Sequence, residues 1–182
     1  MSTATAPAAA HPRDGRPPPA WAVRTAHLIP LAVLPSGLWR IALVAGVPLG
    51  AYEHGVPART HGWESVYVVS LTVVSEALAL LALGLVRPWG EVFPRWLPLL
   101  GGRRVPPSFA ITAATAGAVG VTLVWAYATR GMLVRDLTVE GDGLGFSPAG
   151  FALLVACYAP LLLWGPLLLA VTLAYHRRRC RD

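Results

Sequence analysis

The sequence predicts an all-α membrane protein of four transmembrane helices with both termini in the cytoplasm, and three observations carry that prediction. Of 182 residues, 55% are hydrophobic and 13% are charged, roughly half the charged fraction of a soluble domain. The apolar residues gather in four nearly uncharged blocks of about 20 residues or more, and at 1.5 Å per residue each reaches across roughly 30 Å of hydrocarbon. All 15 basic residues are arginine; eleven flank the blocks on one side and three lie on the other. That asymmetry is the positive-inside pattern. Together these observations exclude a soluble enzyme, a disulfide scaffold and a disordered regulator.

Residues 1–20, rich in Ala, Pro, Ser and Thr and ending in Arg16-Pro17-Pro18-Pro19, have nothing to bury and read as a disordered cytoplasmic tail. A transmembrane domain then covers 21–176. Its first helix spans about 25–49, which is longer than a signal-peptide core and is interrupted by Arg40, so it reads as a retained span. The second helix covers about 66–86 and the third about 108–129. The fourth covers about 149–175 and is opened by Ser147 as a cap with Pro148 at the first helical position. Prolines 30, 35 and 48 in the first block, and 160 and 166 in the fourth, predict bends at both ends of the chain. Residues 177–182 form a basic cytoplasmic tail. The counts that orient the chain set Arg13, Arg16, Arg24, Arg87, Arg95, Arg103, Arg104, Arg177, Arg178, Arg179 and Arg181 against Arg59, Arg130 and Arg135. The net charge of +6 therefore reports orientation, not nucleic-acid binding. A disulfide between Cys157, in an apolar block, and Cys180, in the basic tail, would need a membrane-embedded sulfur to meet a cytoplasmic one further along the same helix, so none is expected.

The loop between the second and third helices reads Arg87-Pro88-Trp89-Gly90-Glu91-Val92-Phe93-Pro94-Arg95-Trp96-Leu97-Pro98-Leu99-Leu100-Gly101-Gly102-Arg103-Arg104-Val105-Pro106. This run resembles a family of small four-helix integral membrane proteins of high-GC Gram-positive bacteria. Ser36-Gly37-Leu38-Trp39-Arg40 and Ser75-Glu76 look like further parts of the same pattern, which spans roughly 25–125. The resemblance implies a four-helix membrane fold and nothing catalytic. On its own chemistry the loop is too apolar to run free in the cytoplasm. Trp89, Phe93, Arg95, Trp96, Arg103 and Arg104 suit the inner headgroup zone, where aromatic rings and cations sit beside anionic lipid. A partner-binding patch is the competing reading.

Arg40 and Glu76 are the sharpest polar feature, because a charge near the bilayer centre costs about 2.5–3.5 kcal/mol on insertion scales. With the helix limits above, they fall nine and ten residues from the outer ends of adjacent antiparallel helices, hence at one depth. Ser36 and Gly37 share the face of Arg40; Thr72, Ser75 and Ala79 share that of Glu76. The pair reads either as a structural tie or as a proton- or anion-handling site. A second polar line, Ser108, Thr112, Thr115, Thr122 and Thr129, follows one face of the third helix and either lines a path opposite Glu76 or bonds back to its own backbone. Ala110, Ala113, Gly117 and Gly120 give that helix a small-residue face for close packing.

The loop Glu53-His54…His61-Gly62-Trp63-Glu64 matches no established zinc spacing and reads as a solvated polar loop, while Gly141-Asp142-Gly143-Leu144-Gly145 reads as a turn, not a phosphate loop. The expectation is a multi-pass cell-membrane protein with no catalytic, cofactor or metal site and no nucleic-acid partner. It is an accessory, scaffold or envelope component in contact with anionic lipid, as a homodimer or within a larger membrane complex. The alternative is a small proton- or ion-coupled transporter subunit working through Arg40 and Glu76.

Overall fold

The computed structural model describes residues 17–91, 102, 105–134 and 144–180. The chain is mostly helical. Four helical spans, Ala20–Val44, Trp63–Leu85, Pro107–Met132 and Pro148–Arg178, are long and apolar enough to cross a membrane.

Helix α1 (Ala20–Val44) runs unbroken through Pro30 and Pro35. It begins earlier and ends earlier than the apolar block, because its ends are set by backbone chemistry. The Pro19 carbonyl accepts from the amides of Ala22 and Val23. At the other end Val47 N–H bonds the Ala42 carbonyl and Gly46 N–H bonds that of Leu43, with Gly46 at φ +78°. This is the glycine stop known as a Schellman motif. The expected limit at 49 is therefore corrected to Val44.

A two-residue turn follows. Strands β1 (Ala51–Glu53) and β2 (Val56–Pro57) pair antiparallel, Glu53 opposite Val56. Between them His54 and Gly55 both take positive φ (50° and 78°), as a primed hairpin turn demands. Strand β3 (Leu144–Phe146) pairs antiparallel with the other edge of β1, giving the order β2-β1-β3. The expected solvated loop and the glycine turn thus meet in a small sheet. That sheet puts the 1–2 and 3–4 connections at one end of the bundle, called here the sheet end.

Helix α2 (Trp63–Leu81) carries Glu64 in its first turn and tightens into a 3-10 segment at Ala82–Leu85; a second 3-10 turn follows at Pro88–Glu91. Helix α3 (Pro107–Val134) outruns its expected end at 129 and takes in Arg130. Ser147 caps α4 (Pro148–Tyr158), its hydroxyl accepting from Gly150 N–H at 3.1 Å, with Pro148 at the start. Pro160 then imposes a 3-10 passage, Ala159–Leu163, before α5 (Trp164–Cys180) resumes the span. Helix α5 continues through Arg177 and Arg178, so the residues assigned to a separate basic tail belong to the helix down to Cys180.

The core is two interlocked stripes. In α1, Ala22, Ala26, Ile29, Val33, Ser36 and Arg40 recur every three or four residues and are buried, which places them on one face. In the last span, Leu161, Trp164, Leu168, Val171 and Tyr175 do the same. Helix α1 packs against α2, α4 and α5, while α3 packs chiefly on α5. Small residues permit the closest approach: a side chain at Gly165 would run into Thr122 and the Ala118 carbonyl. Ala22, Leu85, Val86 and Tyr175 share one cluster, so the start of α1 and the end of α5 lie together opposite the sheet end. Two links tie this tail end: Arg87 donates to His27 Nε2 at 3.1 Å, and Arg178 to the Leu85 carbonyl at 3.3 Å.

Candidate functional site

Arg40 is the one buried charged residue among those described, 6% exposed. It stands four residues before the end of α1, about 6 Å along the axis. Its burial therefore depends on a lid. The sheet turns Ala51 and Phe146 inward against Trp39 and Leu154, forming a second apolar cluster at the sheet end. Trp39 packs its ring against Phe146 (centroids 6.5 Å apart) and edge-on against Tyr158 (5.6 Å). Tyr158 also meets Trp125 of α3 edge-on at 5.7 Å.

Arg40 engages Tyr158 twice. Its Nε donates to the Tyr158 hydroxyl at 3.2 Å, and its guanidinium carbon lies 5.5 Å from the centre of the Tyr158 ring. The first contact is a hydrogen bond from a charged donor, the second a cation–π contact. Tyr158 is the residue that sequence reasoning missed. The available signal was a tyrosine hydroxyl inside an otherwise apolar block, which must find a partner when buried.

Glu76 lies one helix away, beside Gly37. A methyl group at position 37 would sit 3.1 Å from Thr72 Cγ2 and 3.4 Å from Glu76 Oε1, so the absent side chain admits the carboxylate against α1. Glu76 and Arg40 are close enough to interact electrostatically, but no hydrogen bond joins them. Arg40 Nη1 and Glu76 Oε1 are both buried without a hydrogen-bond partner. The helix limits revise the counts behind the equal depth expected from the sequence: Arg40 stands four residues from the end of α1 and Glu76 thirteen from the start of α2. The Glu76 carboxylate nevertheless reaches Gly37, three residues before Arg40 in α1. Arg40 Nη1 and Glu76 Oε1 each keep hydrogen-bonding capacity that no described residue uses.

The surrounding hydroxyls are self-satisfied. Ser36 bonds the Val33 carbonyl (2.8 Å), Thr72 that of Val68 (2.9 Å) and Ser75 that of Leu71 (2.7 Å). The threonine line of α3 does not face Glu76. Thr112 bonds the Ser108 carbonyl and Thr122 that of Ala118, 2.8 and 2.7 Å away, and an apolar groove parts α3 from α2. Helix α5 floors this groove of about 550 Å³, and its lining includes Leu81, Leu85, Phe109, Ala113, Gly117 and Trp164. Trp89 lies at its tail end. Phe93, Arg95, Trp96, Arg103 and Arg104 lie outside the described residues. Among the described residues no group of three His, Cys, Asp or Glu side chains is placed to hold a metal ion.

These features define a multi-pass membrane protein whose polar centre is an arginine–tyrosine clamp near one end of the bundle. The chain matches no protein-family model, no curated protein and no solved structure.

Proposed function

We propose that the chain is a non-catalytic component of the cell membrane, an accessory or scaffold subunit, with both termini in the cytoplasm and the sheet end outside. One observation carries this reading: the buried charge is spent on holding helices together. Arg40 ties α1 to α4 through Tyr158 under an apolar lid, and the hydroxyls around it bond their own backbone. The rest of the surface suits lateral association, since α3 buries only 6% of its span within the chain. The arginine asymmetry supports the orientation. The resemblance of the 87–106 loop to small Gram-positive membrane proteins points to the same class.

A transport role is the second reading, favoured by the two unpartnered atoms, Arg40 Nη1 and Glu76 Oε1. Reconstituted vesicles separate the two. A scaffold gives no proton-coupled flux with either wild type or Glu76→Gln, and photo-crosslinking from Val74 on the exposed face of α2 yields one discrete adduct in native membranes. Flux that Glu76→Gln abolishes overturns the scaffold reading. Orientation is read by thiol labelling of intact cells: His54→Cys reacts with an impermeant reagent and Cys180 does not.

A further inference from the structure

We propose that His27 is a pH-sensitive latch: with its ring neutral it holds the turn after the second span to α1, and on protonation it releases that turn. The ring bridges two groups of fixed character. Its Nδ1 lies 2.7 Å from the Val23 carbonyl oxygen, one turn back along α1. Its Nε2 lies 3.1 Å from a guanidinium nitrogen of Arg87. A carbonyl oxygen can only accept and a guanidinium nitrogen can only donate. Nδ1 must therefore carry the proton of the neutral ring, and Nε2 must offer its lone pair. One state meets both contacts, the neutral Nδ1–H tautomer. The corner it holds is compact. Arg87 N–H donates to the Leu83 carbonyl at 2.9 Å, and the Arg87 carbonyl accepts from Gly90 N–H at 3.2 Å. A side chain at Gly90 would strike the Gly84 carbonyl. Arg87 thus joins the 3-10 segments Ala82–Leu85 and Pro88–Glu91, and its side chain ties both to α1.

A proton taken from solvent onto Nε2 turns that nitrogen from acceptor to donor and makes the ring a cation. Its N–H then points at an N–H of Arg87, charge against like charge, while the bond to Val23 is kept. The surroundings do not relieve the conflict. The charged and titratable groups at this end are Arg24 on α1, Arg87 itself, and Tyr175, His176, Arg177 and Arg178 on α5, which packs against α1. Arg178 is engaged with the Leu85 carbonyl and the Tyr175 ring. Among the described side chains the carboxylates stand elsewhere: Glu53 in β1 and Glu64 in the first turn of α2 belong to the sheet end, and Glu76 lies within α2. Imidazole is the side chain whose ordinary titration falls within about pH 5–8. Arg87 is exposed and stands two residues past the second span, so the contact lies at the water-facing border of that span. On the orientation proposed above, the latch answers to cytoplasmic pH; the latch itself does not rest on that orientation.

The test uses the full chain in nanodiscs. Hydrogen exchange of the amides from Val86 to Gly90 is compared between wild type and variants at one pH at a time, so that intrinsic exchange rates cancel. At about pH 7.5 His27→Ala is expected to speed exchange about three-fold, the scale of an average hydrogen bond between membrane helices. At about pH 5.5, below the ordinary imidazole range, it matches wild type, whose latch is already open. Arg87→Gln, at an exposed position, gives the same pattern and serves if His27→Ala does not fold. His176→Gln leaves the wild-type pattern intact. Magnetic resonance of nitrogen-labelled histidine, assigned by the loss of one ring in His27→Gln, shows the Nδ1–H tautomer for His27 at the higher pH. A variant-to-wild-type ratio that is the same at both pH values overturns the proposal. So does an Nε2–H tautomer at the higher pH, or a pH dependence that His176→Gln abolishes.

Discussion

Removing the Tyr158 hydroxyl tests whether Arg40 is a structural clamp. Tyr158→Phe keeps the ring, and with it the edge-on contacts to Trp39 and Trp125 and the ring under the guanidinium at 5.5 Å. It deletes only the acceptor 3.2 Å from Arg40 Nε. Two scales bear on the cost. Hydrogen bonds to charged groups contribute about 1.5–3 kcal/mol, whereas those between membrane helices average about 0.6 and reach about 1.7 kcal/mol. Arg40 is only 6% exposed and already carries one unpartnered nitrogen, so water cannot replace the lost acceptor. The expected loss therefore lies where the two ranges overlap, at about 1.5 kcal/mol. That corresponds to about 3–6 °C in midpoint for a chain of this length. Thermal unfolding in a mild detergent, followed by circular dichroism, reads it. The decisive measurement is the cycle with Arg40→Met, which removes the charge and keeps the stem. In that background Tyr158→Phe is expected to cost a few tenths of a kcal/mol, a coupling of about 1 kcal/mol. The coupling of Arg40 to Glu76, measured with Glu76→Gln, is expected to be smaller because no hydrogen bond joins that pair. Equal costs of Tyr158→Phe in both backgrounds, or an Arg40–Glu76 coupling larger than that to Tyr158, refute the clamp.

Gly165→Ala is expected to destabilise by about 1–3 kcal/mol, the usual range for overpacking, because the new methyl meets both Thr122 and the Ala118 carbonyl. Adding Thr122→Ala recovers only part of the loss, since the backbone carbonyl cannot withdraw; the pair of midpoints checks this. Ser147→Ala removes the acceptor for Gly150 N–H and should cost about 1 kcal/mol, seen as faster amide exchange in the first turn of α4. Gly37→Leu forces α1 from Thr72 and Glu76, which crowd that position at 3.1 and 3.4 Å, and lowers the midpoint more than Gly37→Ala does; equal effects would show that the interface is loose.

The four spans were legible because hydrocarbon imposes one rule on every residue that crosses it, and length and polarity are enough to read that rule. Their ends were less legible. The block around α1 stays apolar through Leu49, so hydropathy ran past the stop, although Gly46 followed by Pro48 signals it. The Ser147-Pro148 start and the Pro160 break were readable because cap and proline chemistry is local. The sheet was not, since β1 and β3 are three residues each and join segments more than ninety residues apart. Arg40 and Glu76 could be singled out by their cost. Tyr158 could not be given to Arg40, because that contact spans 118 residues of sequence and depends on how α4 is placed by its break.

That placement explains why a buried arginine is tolerated so near the end of a helix. At about 6 Å from the end of α1 an exposed side chain could reach the interface and pay little. Here the lid formed by Trp39, Phe146 and Leu154 closes that route, so Arg40 must be satisfied from within. Tyr158 supplies a hydroxyl and a ring, but one guanidinium nitrogen is left without an acceptor. A protein selecting only for stability could replace Arg40 and Tyr158 with well-packed apolar residues at little loss, since buried charges rarely repay their desolvation. What an apolar pair cannot supply is direction: the Arg40 Nε–H donates to the Tyr158 hydroxyl along one line, which constrains the rotation of α1 against α4. The three-stranded sheet has the same effect, because its pairing of Ala51 with Phe146 admits one register. Clamp and sheet therefore add directional constraints to an arrangement of spans whose remaining core contacts are mostly apolar.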